Sequence, residues 1–229
     1  MLEIKDLHVA YGESEVVKGL NLSLKENEII AVLGRNGMGK TTLMKSLIGM
    51  IPSKSGSVEL NGKELIHMKS HERVASGLGF VPQGRMIFST MTVQENIETG
   101  LTTTKETQVP EDLYNIFPIL RDFRKRRGGN LSGGQQQQLA IARALASNPD
   151  VLLLDEPTEG IQPSIIKEMA QTLKEIRDSR GLSIIVSEQV LSFALDVADR
   201  IIVIEKGKII HDQPRDEVDE EQVAKFLSV

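Results

Sequence analysis

The chain carries two kinds of hydrophobic pattern. Near its start, LEIKDLHVAYG and LNLSLK place apolar residues at nearly every second position, the period of half-buried antiparallel strands. From residue 29 short, fully apolar runs take over: IIAVLG at 29–34, VLLLDE at 151–156 and LSIIVSE at 182–188. Such aliphatic runs read as parallel strands buried on both faces. Segments of helical period lie between them. GKTTLMKSLIGM puts Leu43, Leu47 and Met50 on one face, and Ser164 to Arg180 does the same with Ile165, Met169, Leu173 and Ile176. A further helix is predicted from Gln135 to about Ser147, stopped by Asn148-Pro149. Others are predicted up to about Asp199 and over the acidic tail DEVDEEQVAKFLSV. Asn61-Gly62 and Lys206-Gly207 mark hairpins.

Residues 84 to about 130 are polar and mostly helical in pattern, with Pro110 and Pro118. They read as a helical lobe within the α/β core. With the helix that follows, the inserted subdomain covers about 84–147 of a single domain spanning 1–229. The expected fold is α/β, with a mostly parallel core sheet and an antiparallel N-terminal β-subdomain.

Composition narrows the function. Aromatic residues make up 3% of the chain and Trp is absent, so the core is aliphatic and base stacking is not the main activity. A net charge of -5 argues against a polyanionic partner. The absence of Cys excludes disulfides, thiolate zinc sites and a Cys nucleophile. The four His residues show no metal-ligand spacing, and the eight Met read as core filler. MLEIKDLHVA lacks the pattern of a signal peptide. No apolar run approaches the ~18 residues that cross a bilayer, so the expectation is a chain without a membrane span that docks on a membrane partner.

GRNGMGKT, Gly34 to Thr41, matches G-x-x-x-x-G-K-[ST] between a buried strand and an amphipathic helix. Its four fixed positions arise by chance in roughly one chain of this length in a hundred. The glycines let backbone N–H groups face phosphate oxygens, and the helix adds its N-terminal dipole. Lys40 would reach the β- and γ-phosphates, and Thr41 would place its hydroxyl on Mg²⁺. Asp155 emerges at the carboxyl end of VLLLDE, where ligands of parallel sheets bind, and would hold the same ion. Glu156 is placed to orient or deprotonate an attacking water. A second anion-ready helix start lies in LSGGQQQQLAIARAL, where Ser132 reads as an N-cap before Gly133 and Gly134.

LSGGQ together with the phosphate loop and DEPT resembles the ABC-transporter ATPases over essentially the whole chain. The resemblance implies a P-loop ATPase fold that binds ATP with Mg²⁺. It also implies a head-to-tail pair of ATPase subunits, identical or different. Ser132, Gly133, Gly134 and Gln135 of one would close over the γ-phosphate held by Gly34, Arg35, Asn36, Gly37, Met38, Gly39, Lys40, Thr41 and Thr42 of the other. Tyr11 would stack on adenine with Val16 nearby. Gln83, in FVPQGR, would sense Mg²⁺ and the γ-phosphate, completing a catalytic set with Lys40 and Glu156. Transmembrane permease subunits would be met through residues near 84 to 120, placing the chain in the cytoplasm against the inner face of the membrane. Two positions depart from the family pattern. Glu188, in IIVSEQ, stands where a γ-phosphate-contacting His is common, and Gln162 replaces an Asp after DEPT. Glu188 and the EG-x-x-P run look like the branched-chain amino acid and amide importer branch, and LSGGQQQQLAIARAL together with DEPTEGIQPSII resembles the ATP-binding subunits of bacterial urea importers. Urea import is therefore the expected role, with branched-chain amino acid import as the alternative. A soluble family member acting on nucleic acid is a further alternative, favoured only by the basic run RDFRKRR at 121–127. A regulatory nucleotide-binding module without turnover is disfavoured by intact Lys40, Asp155 and Glu156.

Overall fold

The computed structural model describes residues 1–228. Strands β1 (Leu2–Tyr11) and β2 (Ser14–Leu24) pair antiparallel, from Leu2 opposite Leu24 to Tyr11 opposite Ser14. A bulge at Asp6, whose φ is +46°, moves the buried positions from Leu2 and Ile4 to Leu7 and Val9. Next come β3 (Ile29–Leu33), α1 (Lys40–Leu47), β4 (Ser55–Leu60) and β5 (Lys63–Glu64). The turn between β4 and β5 is Asn61-Gly62, both at positive φ as a two-residue hairpin requires. These outer strands form one sheet in the order β2-β1-β4-β5.

The central sheet begins at β3 and gains β6 (Leu78–Val81), which follows α2 (Ser70–Ala75). Four helices then intervene: α3 (Val93–Glu98), α4 (Glu111–Ile116), α5 (Pro118–Asp122) and α6 (Gly133–Leu145). The chain continues through β7 (Val151–Asp155), α7 (Pro163–Arg180), β8 (Ser183–Glu188), α8 (Leu191–Val197), β9 (Arg200–Glu205), β10 (Lys208–Pro214) and α9 (Glu220–Leu227). Val229, the last residue of the predicted tail helix, lies outside the described residues. The sheet order is β10-β9-β3-β8-β7-β6, parallel except for the β9–β10 hairpin. Strands β3, β7 and β8 are buried on both faces, whereas the edge strand β10 is mostly exposed. Ile30 and Val32 of β3 pack with α1 and the outer sheet, while Ile29, Ala31 and Leu33 pack under α6, α7 and α8.

Two features of this order position chemistry. β8 lies between β3 and β7, so Leu33 is paired with Glu188 and Asp155 with Ser187. The loops after all three strands therefore open at one edge, the usual ligand side of a parallel sheet. The β9–β10 turn also grips the loop after β3. Gly207 donates to Met38 O at 3.0 Å, and its own carbonyl accepts from Lys18 N at 3.0 Å. A Cβ on Gly207 would lie 1.8 Å from Val16 O, so only glycine fits.

The helical pattern required two corrections. α1 ends at Leu47, because Gly49 turns the chain at φ +80°, and Met50 is 56% exposed rather than buried with Leu43 and Leu47. The helix predicted from Gln135 starts at Gly133. Ser132 caps it through a reciprocal box, its Oγ accepting from Gln135 N while Ser132 N donates to Gln135 Oε1.

Candidate active site

A cleft of about 430 Å³ lies at the carboxyl edge of the central sheet. Val16, Asn36, Gly37, Gly39, Lys40, Thr41, Thr42, Gln83 and Glu156 line it. Gly37 and Gly39 sit at φ +79° and +110°, which lets the backbone wrap into a cradle ahead of α1. Gly34 has no room for a side chain, since a Cβ there would meet Ile204 O at 2.6 Å. Arg35 and Met38 contribute mainly backbone: Arg35 O accepts from Lys40, and Met38 O accepts from Gly207.

Lys40 is buried at the floor of the cradle. Its ammonium donates to Gly34 O at 2.7 Å and Arg35 O at 3.3 Å, and pairs with Glu156 Oε1 at 3.1 Å. Glu156 adopts φ +47°, a left-handed turn directly after β7 that aims its carboxylate back at the cradle. Its other oxygen, Oε2, accepts from Gln189 Nε2 at 3.0 Å and Gln83 Nε2 at 3.4 Å.

Asp155 faces the other side of the cradle. Its Oδ1 accepts from Thr41 Oγ1 at 3.1 Å and Ser187 Oγ at 2.6 Å. Its Oδ2 is buried with no partner among the described residues. Burial pushes the Asp155 carboxyl above the usual carboxylate range, against the pull of the Ser187 and Thr41 hydroxyls. An orphaned carboxylate oxygen beside a Thr hydroxyl fits a hard divalent cation, whose ligands are oxygens. A raised pKa also means that the folded chain holds the Asp155 proton more tightly than the unfolded chain. The resulting penalty on folding is absent below the unfolded-state value near ~3.9, develops as pH rises, and is complete above the folded-state value. Asp155→Asn is therefore expected to remove this part of the pH dependence: in calorimetry its Tm should rise relative to wild type as the pH is raised from acid to neutral, and an unchanged difference would contradict the raised carboxyl.

Several predicted residues lie elsewhere. Tyr11 is 52% exposed at the end of β1 and is not part of the cleft lining. Ser132, Gly133, Gly134 and Gln135 do not line the cleft of their own chain either. Gly134 lets α6 approach α7, since a Cβ there would lie 3.0 Å from Ile165, and Gly133 faces the Arg85 guanidinium. Arg85 itself holds φ +67° and donates to Glu159 O at 3.0 Å, tying the loop after Gln83 to the loop after β7. Of the glutamines that follow Gln135, Gln136 donates to Leu131 O at 3.2 Å and Gln137 is buried.

At the end of β8 the structure shifts the expected position by one residue. Glu188 does not face the cradle. It is 2% exposed, and its oxygens are taken up by its own chain. Oε1 accepts from Thr158 N at 3.0 Å and Thr158 Oγ1 at 2.7 Å. Oε2 accepts from Gln189 N at 3.0 Å and Val190 N at 3.4 Å. Burial raises its pKa while these donors oppose the rise. The side chain that reaches the site from this strand is Gln189. Gln189 and Ser187, which donate to the Glu156 and Asp155 carboxylates, are missing from the sequence reading.

A phosphate cradle, an acid pair after a parallel strand and a separate glycine-led helix start define a P-loop ATPase of the cassette type. The sequence pattern of the family described as ABC transporter matches residues 17–159. This protein belongs to that family and is one of its ATP-hydrolysing subunits. Among similar proteins is the high-affinity branched-chain amino acid transport ATP-binding protein BraG of Pseudomonas aeruginosa. It is 38% identical over 216 residues, covering 93% of this chain and 92% of BraG. The probable branched-chain amino acid transport ATP-binding protein LivF of Archaeoglobus fulgidus is 35% identical, with 91% and 90% covered. A dimeric ATP-binding cassette solved in a post-hydrolysis state with ADP and Pi superposes at a TM-score of 0.83. It is 26% identical, with 94% of this chain and 99% of that one covered.

Proposed function

We propose that this chain powers an ABC importer for branched-chain amino acids. The convergence of Lys40, Glu156 and Gln83 on one cleft, with Asp155 bonded behind it to the lining residue Thr41, is the observation that carries the hydrolytic part of this reading. Lys40 binds the terminal phosphates of ATP, and the backbone of Gly34 to Thr42 encloses them. Thr41 and Asp155 would hold Mg²⁺, which would neutralise charge on the phosphates. Glu156 orients the attacking water and accepts its proton, steadied by Gln83 and Gln189. Ser132 to Gln135 complete the γ-phosphate site of a second ATPase subunit, in keeping with their place outside the cleft of their own chain.

The cargo rests on the relatives. BraG and LivF are both branched-chain amino acid transport proteins by name, and they outweigh the urea expectation. Urea stays as the second reading on the strength of LSGGQQQQLAIARAL and DEPTEGIQPSII. For nucleic acid the basic run offers a broken strip: Arg121 bonds Glu111 and Asn115, and Arg126 lies over the Phe123 ring at 4.1 Å.

The permease would seat in a groove of about 450 Å³ that includes Met50, Phe80, Met86 and Phe88. Met50, Met86 and Phe88 are large apolar side chains exposed together there. Among the described residues no helix is long and apolar enough to cross a membrane, so attachment would depend on that contact. The segment 84–147 would serve as the arm that carries it, on the cytoplasmic face. In a deletion strain, the wild-type gene is expected to restore uptake of labelled leucine and not of urea. Phe88→Asp is expected to restore neither, while binding ATP normally in vitro. Restored urea uptake without leucine uptake would move the cargo to the second reading. Full transport by Phe88→Asp would remove the groove.

A further inference from the structure

The carboxylate of Glu188 is almost fully buried, yet it makes no contact with the cradle. Carboxylates at such depth are costly unless every lone pair is used. Here each oxygen accepts from two donors, and the two pairs of donors belong to different segments. Thr158 lies two residues after Glu156, on the loop leaving β7. Gln189 and Val190 form the exit from β8. Glu188 therefore fastens those two exits to each other. Each exit bears on the Glu156 carboxylate: the first carries Glu156 itself, and the second carries Gln189, whose Nε2 lies 3.0 Å from Glu156 Oε2. Glu156 also sits at a left-handed φ of +47°, a conformation that persists only where its surroundings enforce it.

We propose that Glu188 is a positioning residue for hydrolysis: by bonding Thr158 on one side and the Gln189 backbone on the other, it aims the Glu156 carboxylate. This rests on the role of Glu156 proposed above. A glutamine at 188 would keep the shape but not the bonds. If its amide nitrogen faces β8, the N–H groups of Gln189 and Val190 lose their acceptor. If it faces the β7 exit, Thr158 N–H does. The loop would loosen without any change in the phosphate cradle.

The test compares the full chain with Glu188→Gln, Thr158→Val and Thr158→Ser. Amide exchange is measured without nucleotide, and ATP affinity and turnover with Mg²⁺. Glu188→Gln is expected to exchange the Thr158, Gln189 or Val190 amides at least about tenfold faster. Turnover should fall about ten- to a hundredfold, the cost of a misplaced reacting group, with ATP affinity within about twofold of wild type. Thr158→Ser, which keeps the hydroxyl, should retain turnover that Thr158→Val loses. Should Glu188→Gln fail to fold, the two Thr158 variants still decide the matter. Unchanged turnover in Glu188→Gln or Thr158→Val would overturn the proposal. So would ATP affinity and turnover falling together with Tm, which would mark a packing role. A wild-type chain that binds ATP but does not hydrolyse it would instead defeat the hydrolytic reading, and this proposal with it.

Discussion

Glu156→Gln binds ATP with near wild-type affinity, hydrolyses it about 10²–10⁴ times more slowly, and accumulates as an ATP-bound dimer with its ATPase partner. That is the expected result, and the geometry explains its selectivity. The Glu156 carboxylate is clamped between the Lys40 ammonium on Oε1 and two glutamine amides on Oε2. A glutamine can still accept from Lys40, whose remaining hydrogen bonds go to Gly34 O and Arg35 O. The cradle is therefore preserved. What disappears is a base able to take a proton from water. Phosphate release under saturating ATP and Mg²⁺ measures the first part of the prediction, and size-exclusion chromatography with bound-nucleotide analysis measures the second. Turnover equal to wild type would remove Glu156 from its role.

Lys40→Ala should fail in a different way. The side chain is 3% exposed and its partner Glu156 is 8% exposed, so the pair is held out of water. Removing one member of such a pair strands the other as an uncompensated buried charge, at a cost of about 3–5 kcal/mol. The nucleotide-free protein should lose stability, and ATP affinity should fall at least about a hundredfold, as expected when a charged contact and its site order are lost together. Lys40→Met combined with Glu156→Gln removes both charges. It should recover most of the stability and none of the ATP affinity. Calorimetry of the single and double variants separates the two effects. Wild-type ATP affinity in Lys40→Ala would refute the phosphate-loop assignment.

The contrast between these variants follows from chemistry that was largely readable in the sequence. GRNGMGKT after an apolar run, the acid pair after VLLL and the Ser-Gly-Gly helix start are local patterns, and local patterns survive in a one-dimensional string. Asn61-Gly62 is readable for the same reason, because two residues alone must supply both positive φ angles. Gln189 was not readable. Its importance depends on β8 lying between β3 and β7, and strand order is a property of pairing across the chain. The direction of Glu188 was hidden likewise, since it is decided by Thr158, thirty residues away. Met50 was misplaced although a signal existed: Gly49 after Leu47 marks a helix end, and a simple count of apolar period runs through it.

In the proposed division of labour, Lys40 holds the nucleotide while Glu156 activates the water that hydrolyses it. Loading the wild type, Lys40→Ala and Glu156→Gln with α-labelled ATP and Mg²⁺, isolating the protein and identifying the bound nucleotide tests both halves at once. The expected result is ADP on the wild type, nothing on Lys40→Ala and intact ATP on Glu156→Gln. ADP on Glu156→Gln at the wild-type rate, or ATP retained by Lys40→Ala, would contradict it.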